Sequence, residues 1–241
     1  MSPELAWFFL FIFLGFTTEV ATGFGSIVIA LSLGTLVLPI DAMLPVLVSL
    51  NAIMNGVLLC RLWKQVHVAT LFKLILPLML LGMLLGISLL PQLQDELLKK
   101  GFALLVLWFV IRELYKLYRH IQSSAKGMYW QYGWTFMAGI THGLYASGGP
   151  LLVYALSRTQ LDKAQFRATL LATWFALNAS YTMILWQQQI LPAYATQIIY
   201  GLPILALSIL LGQYLHKRIN ELYFKKIVYF LLALSSIAML V

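Results

Sequence analysis

The sequence predicts an all-α integral membrane protein built as an inverted repeat, each half a broken helical hairpin followed by three transmembrane helices. Three observations point there. The 241 residues are 61% hydrophobic and only 10% charged, with a mean hydropathy of +0.88, whereas soluble domains carry about 25% charged residues. The apolar runs reach the roughly 20 residues a helix needs to cross a bilayer, not the ten-residue alternation of an outer-membrane barrel. Two glycine-interrupted stretches recur in corresponding places, the pattern that marks binding sites in transporters built from repeats.

The first broken segment covers about 4–38, with its break at Gly15-Phe16-Thr17-Thr18-Glu19-Val20-Ala21-Thr22-Gly23-Phe24-Gly25-Ser26. Full spans follow at about 42–60, 68–90 and 97–117. The second broken segment, about 128–158, has its break at Gly139-Ile140-Thr141-His142-Gly143-Leu144-Tyr145-Ala146-Ser147-Gly148-Gly149-Pro150, and spans at about 165–186, 196–215 and 223–241 complete the chain. Each interior glycine lowers helix stability by about 1 kcal/mol relative to alanine, and proline removes a donor. Proline is nevertheless well suited to the first position of a new helix, so a second helix is expected to begin near Pro150 with Ser147 or Gly148 as its cap. Broken backbone survives at membrane depth only where protein buries it or water reaches it.

Loop charge turns each break into a hairpin. Basic residues cluster at Arg61 and Lys64; at Arg112, Lys116, Arg119 and Lys126; at Arg158, Lys163 and Arg167; and at Lys217, Arg218, Lys225 and Lys226. The positive-inside rule puts these connections in the cytoplasm. Both 112–127 and 158–167 are then on one side, and the chain between them must return to it. Lys99 and Lys100 fall outside, partly offset by Asp95 and Glu96. With the same hairpin in the first half, both termini are expected outside.

The halves also match beyond the breaks. Gly15 falls on Gly139, Thr17 on Thr141, Thr18 on His142 and Gly25 on Gly149. Ala69-Thr70, Leu76-Pro77 and Leu84-Leu85-Gly86 recur as Ala195-Thr196, Leu202-Pro203 and Leu210-Leu211-Gly212. The repeats are 1–122 and 123–241, forming one integrated membrane domain.

Composition excludes several classes of function. The net charge of +8 is dispersed through loops, so no nucleic-acid partner is expected. Cys60 is the single cysteine, which rules out an intramolecular disulfide and a cysteine metal site. His67, His120 and His216 lack metal spacing, and no metal or cofactor is expected. The N-terminus lacks the basic region of a signal peptide, so Leu5–Phe16 is expected to be retained.

The breaks offer a different chemistry. A half-helix start presents unpaired backbone N–H groups and about half a positive charge. Two oppositely oriented hairpins bring two such starts together at mid-membrane, which makes an anion site without a lysine. The expected substrate-binding residues are Thr17, Thr22, Gly23, Gly25 and Ser26 in the first break, and Thr141, His142, Ser147, Gly148 and Gly149 in the second. Glu19 and His142 are ionisable groups deep in the breaks and candidates for proton coupling. Asn51 and Asn55, one turn apart on a helix face, Asn178 in the partner helix, and Arg158 and Arg167 at the cytoplasmic mouth are pathway candidates. The competing reading is that the glycines only let helices approach and the asparagines only bond between helices. Tyr145, Trp63, Trp130 and Trp134 read as interfacial or packing aromatics.

Gly148-Gly149-Pro150-Leu151-Leu152-Val153, then Arg167-Ala168-Thr169-Leu170 and Asn178, resemble the second half of the TauE/SafE family of sulfite exporters and relatives. Gly23-Phe24-Gly25, Pro39 and the basic turn Arg61–Val68 resemble its first half. The resemblance implies a permease of the bacterial inner membrane, and a small anionic substrate of the sulfite, sulfonate, thiosulfate or carboxylate class, generally exported. The lipid bilayer is the expected surrounding, and a homodimer is compatible with it. Two rivals are a channel-like anion pore without a coupled gate, and an intramembrane enzyme, which would need a nucleophile or metal constellation.

Overall fold

Proline, glycine and loop charge divide this apolar chain into helices close to the expected places. The computed structural model describes residues 3–119, 128–156, 159, 161–218 and, near the C-terminus, 229, 230, 232, 233, 236, 237 and 240. In order the helices are α1 (Pro3–Thr22), α2 (Ser26–Gly34), α3 (Ile40–Leu62), α4 (Val68–Thr70), α5 (Leu76–Leu89), α6 (Asp95–Arg119), α7 (Met128–Tyr145), α8 (Gly149–Leu156), α9 (Lys163–Gln187) and α10 (Ala195–Arg218). Among the described residues there is no strand. The expected span at 223–241 falls largely outside the described residues; those described in it are helical, and Tyr229 packs edge-on against Phe109.

Among the described residues, five stretches are long and apolar enough to cross a membrane: Pro3–Thr22, Ile40–Gln65, Val68–Gln92, Ala164–Gln187 and Leu191–His216. The chain is a multi-pass, all-helical membrane protein. The Val68–Gln92 stretch is not a uniform helix, because a π turn at Leu71–Ile75 joins α4 to α5. Pro77 explains it: the ring carries no N–H and crowds the preceding turn, so the backbone unwinds just before it. α9 starts with a capping box, in which Asp162 accepts from the Gln165 N–H and Gln165 returns to the Asp162 N–H.

Close packing rests on glycines. Gly82 and Gly86 of α5 lie against Gly139 and Gly143 of α7, where any added Cβ would collide with backbone across the pair. Gly15 of α1 lies against Ser26 and Ala30 of α2, and Gly34 at the end of α2 lies near Phe8 and Met43. Gly212 of α10 meets Thr17 and Val20 of α1. With no hydrophobic drive between helices in lipid, such small-residue contacts let backbones approach and gain dispersion energy. α3 and α9 pack together at the centre, joined by a 2.6 Å bond from Asn178 Nδ2 to Asn51 Oδ1. Side chains facing outward from α5 and α10, such as Leu81, Leu84, Leu207 and Leu210, are exposed and apolar, as a lipid-facing surface requires.

Candidate binding site at the helix breaks

Each break is a three-residue interruption. α1 ends at Thr22 and α2 begins at Ser26; α7 ends at Tyr145 and α8 begins at Gly149. In the first, Gly23 (φ 94°) and Gly25 (φ 105°) take left-handed conformations that a side chain would strain, and Gly25 caps α2 by accepting from the Ile29 N–H at 3.0 Å. In the second, the left-handed residue is Ala146 (φ 49°), which costs about 1–2 kcal/mol in a residue with a Cβ. Gly148 takes the cap position, accepting from Leu152 N–H at 3.0 Å, rather than Ser147. Helix ends thus pair Glu19 with His142, Gly25 with Gly148 and Ser26 with Gly149, one residue off the motif alignment that sets Gly25 on Gly149.

At the first break, Glu19 is buried and its carboxylate collects donors from two other helices. Its Oε2 accepts from the Ser26 N–H at 3.1 Å and the Ser26 hydroxyl at 2.5 Å. Its Oε1 accepts from Asn51 Nδ2 at 3.0 Å and Asn55 Nδ2 at 2.8 Å. The Ser26 hydroxyl also accepts from Asn51 at 2.7 Å. Since Asn178 bonds Asn51, a continuous polar chain joins α9 to the start of α2. A carboxylate at a helix N-terminus gains from the dipole, and bonds to a charged group contribute about 1.5–3 kcal/mol each.

The second break is polar but less satisfied. Ser147 is 3% exposed and His142 is 0% exposed, yet among the described residues the Ser147 hydroxyl and both His142 ring nitrogens have no partner at hydrogen-bond geometry. The Asn178 amide lies beside the imidazole, and the His142 ring stacks on Trp174 with centroids 6.0 Å apart. Leaving such groups unpaired typically costs about 1–3 kcal/mol.

A small, partly polar cavity lies between the two breaks. Ala146, Ser147 and Gly149 line it from the second break, and Gly25, Ser26 and Glu19 from the first. Asn51, Asn178 and Trp174 close it from α3 and α9. Among the described residues that line it there is no lysine or arginine. A second, apolar cavity is lined by Thr18, Thr22, Phe109 and Tyr229.

The remaining candidates lie elsewhere. Thr22 donates to carbonyls of Thr18 and Phe24, and Thr141 to that of Ala138. Thr17, Gly23, Gly148, His142 and Asn55 are outside the lining of the polar cavity, though Asn55 reaches it through Glu19. Gly148 instead fills a packing role, its missing Cβ facing the Ala138 carbonyl. Arg158 lies outside the described residues. Arg167 caps α1: it donates to the Val20 carbonyl at 2.5 Å and to His216 Nε2 at 3.2 Å, while His216 Nδ1–H donates to the Ala21 carbonyl at 2.7 Å. These bonds close the orphan carbonyls at a helix end. His216, which the sequence offers only as a loop-side residue, is therefore part of the fold. Trp174 is the site residue the sequence reading missed: it donates to the Gly23 carbonyl at 3.2 Å. It lies one helical turn before Asn178, and that spacing was the signal available.

The family model for the sulfite exporter TauE/SafE family matches residues 7–239. The chain belongs to this family. TauE/SafE proteins are membrane transporters of sulfite-like anions. The TauE/SafE match runs through both breaks and every residue lining the polar cavity. Neither a curated protein nor a solved structure gives a significant match.

Proposed function

We propose that this TauE/SafE protein is a secondary permease that moves a small oxyanion across the inner membrane by alternating access, in the export direction. The cargo is a sulfur oxyanion, sulfonate or small carboxylate, and it binds in the cavity at the start of α8. The observation that carries this reading is the buried Ser147 hydroxyl, without a partner among the described residues, on the wall of that cavity beside the α8 start at Gly149. An anion there meets a hydroxyl donor and the backbone N–H groups and dipole of α8, the usual means of holding an anion without a basic side chain.

The inverted repeat supplies the moving parts in this proposal. α1 packs on α10 and α7 packs on α5, so each hairpin leans on a helix of the opposite half, while α3 and α9 meet at the centre. Exchange of two such equivalent packings opens the cavity to one side or the other. Glu19 and His142, at equivalent places before the two breaks, are the coupling residues. Protonation of Glu19 would release donors from α2 and α3, linking a proton to the separation of those helices from α1.

Flux in reconstituted vesicles tests the reading. Radiolabelled sulfite or thiosulfate should show saturable counterflow and uphill accumulation under an imposed pH gradient. Linear, non-saturating flux that only dissipates gradients would establish a pore instead. Chemical turnover in detergent, without compartments, would establish an enzyme.

A further inference from the structure

The start of α2 already holds a carboxyl group, and that group belongs to the chain. Four donors converge on the Glu19 carboxylate: the Ser26 N–H and hydroxyl on one oxygen, Asn51 and Asn55 on the other. All four come from α2 and α3, whereas the carboxylate is delivered by α1. The group is 3% exposed but lines the polar cavity, so its place is reachable from there. Both oxygens of a planar carboxylate are satisfied, and no acidic or basic side chain takes part in the cradle. The donor set is therefore complete without the stem that ties the anion to the backbone.

We propose that Glu19 is a resident anion. The α2 start is an oxyanion-binding site in its own right, plugged by this side chain, and a free carboxylate takes the same place once the side chain is cut back. Truncation to alanine removes a methylene and a carboxylate, which together have the size and charge of acetate. The role of the plug rests on the permease reading: while Glu19 fills one of two equivalent helix starts, the α8 start alone is left for cargo. The binding itself does not depend on that reading.

Acetate complementation of Glu19→Ala is the test, on the full chain purified in detergent at pH 7.5. Acetate is titrated against chloride of equal ionic strength, with acetamide as the neutral isostere. Glu19→Ala should melt below the parent, and acetate should raise its Tm saturably, by about 5–10 °C at 100 times its dissociation constant. The parent and Glu19→Gln, whose sites are filled, should not respond beyond the chloride control. Adding Asn55→Leu to Glu19→Ala should weaken acetate at least tenfold. If Glu19→Ala aggregates in chloride, extraction in acetate should yield folded protein, and Glu19→Ser offers a second truncation of similar size. Failure of both variants to fold in either salt overturns the proposal, as does a response to acetamide as strong as that to acetate or an equal response in the parent. Failed complementation with intact cargo binding by the parent defeats this inference alone. Complementation without cargo binding defeats only the permease reading.

Discussion

Ser147→Ala separates a binding role from a packing role because the two predict opposite signs. The hydroxyl is buried and without a partner among the described residues. Its removal deletes a desolvated polar group that returns no hydrogen bond, which should stabilise the unliganded protein by about 1 kcal/mol. For a chain of this length that is about 2–4 °C in Tm. With cargo bound, the same hydroxyl donates to an anion, an interaction of about 1.5–3 kcal/mol, so affinity should fall about 10- to 150-fold. The assay is a thermal melt in detergent, with and without a titrated anion, for the parent and the variant. The expected result is a higher melting point without anion and a smaller anion-induced shift. A variant that melts lower and binds anions normally would refute the reasoning and assign Ser147 to packing.

Gly149→Ala should keep its fold, because the added Cβ makes only ordinary contact with Trp174 at 3.7 Å, yet lose at least tenfold in anion affinity as the methyl crowds the α8 donors; unchanged binding would remove Gly149 from the site. Gly86→Ala and Gly139→Ala, whose Cβ atoms would strike backbone of the opposing helix, should each cost about 3 kcal/mol or more of stability, read as lost monodisperse protein on gel filtration. Glu19→Gln should retain cargo binding while losing accumulation driven by a pH gradient in vesicles, and accumulation equal to the parent would make the role of Glu19 purely structural. Cysteines placed at Ser2, Gln122 and Gln160 test topology: an impermeant thiol reagent on intact cells should label only Ser2, and labelling at Gln122 or Gln160 would overturn the inverted arrangement.

Much of the architecture was legible because membranes enforce simple rules. The α3, α9 and α10 boundaries lie within two or three residues of the expected spans, since apolar length and flanking charge set where a helix leaves the bilayer. The two breaks were legible because glycine and proline act locally, and Pro150 duly lies in the first turn of α8. Individual roles were harder to read. That Gly139 and Gly143 serve packing while Gly149 faces the cavity depends on α5, about 55 residues away in sequence. Asn51 and Asn55 could be set on one face, but the carboxylate they bind comes from another helix. The capping of α1 by Arg167 and His216 joins opposite ends of the chain, and no local pattern encodes it. The one-residue difference in register at the breaks has the same origin: helix ends are fixed by backbone bonds, whereas glycines can lie on either side of them.

The central claim is that cargo binds at the start of α8, and locating a heavy oxyanion tests it most directly. Selenite has the shape and charge of sulfite and carries an anomalous scatterer. Crystals of the full chain grown with selenite, with data collected at the selenium edge, should show an anomalous peak in the polar cavity, with an oxygen within about 3 Å of Ser147 Oγ and the N–H groups opening α8. Ser147→Ala should reduce that peak. A peak only at surface cations such as Arg61 or Lys64, or none at selenite concentrations that saturate transport, would contradict the account.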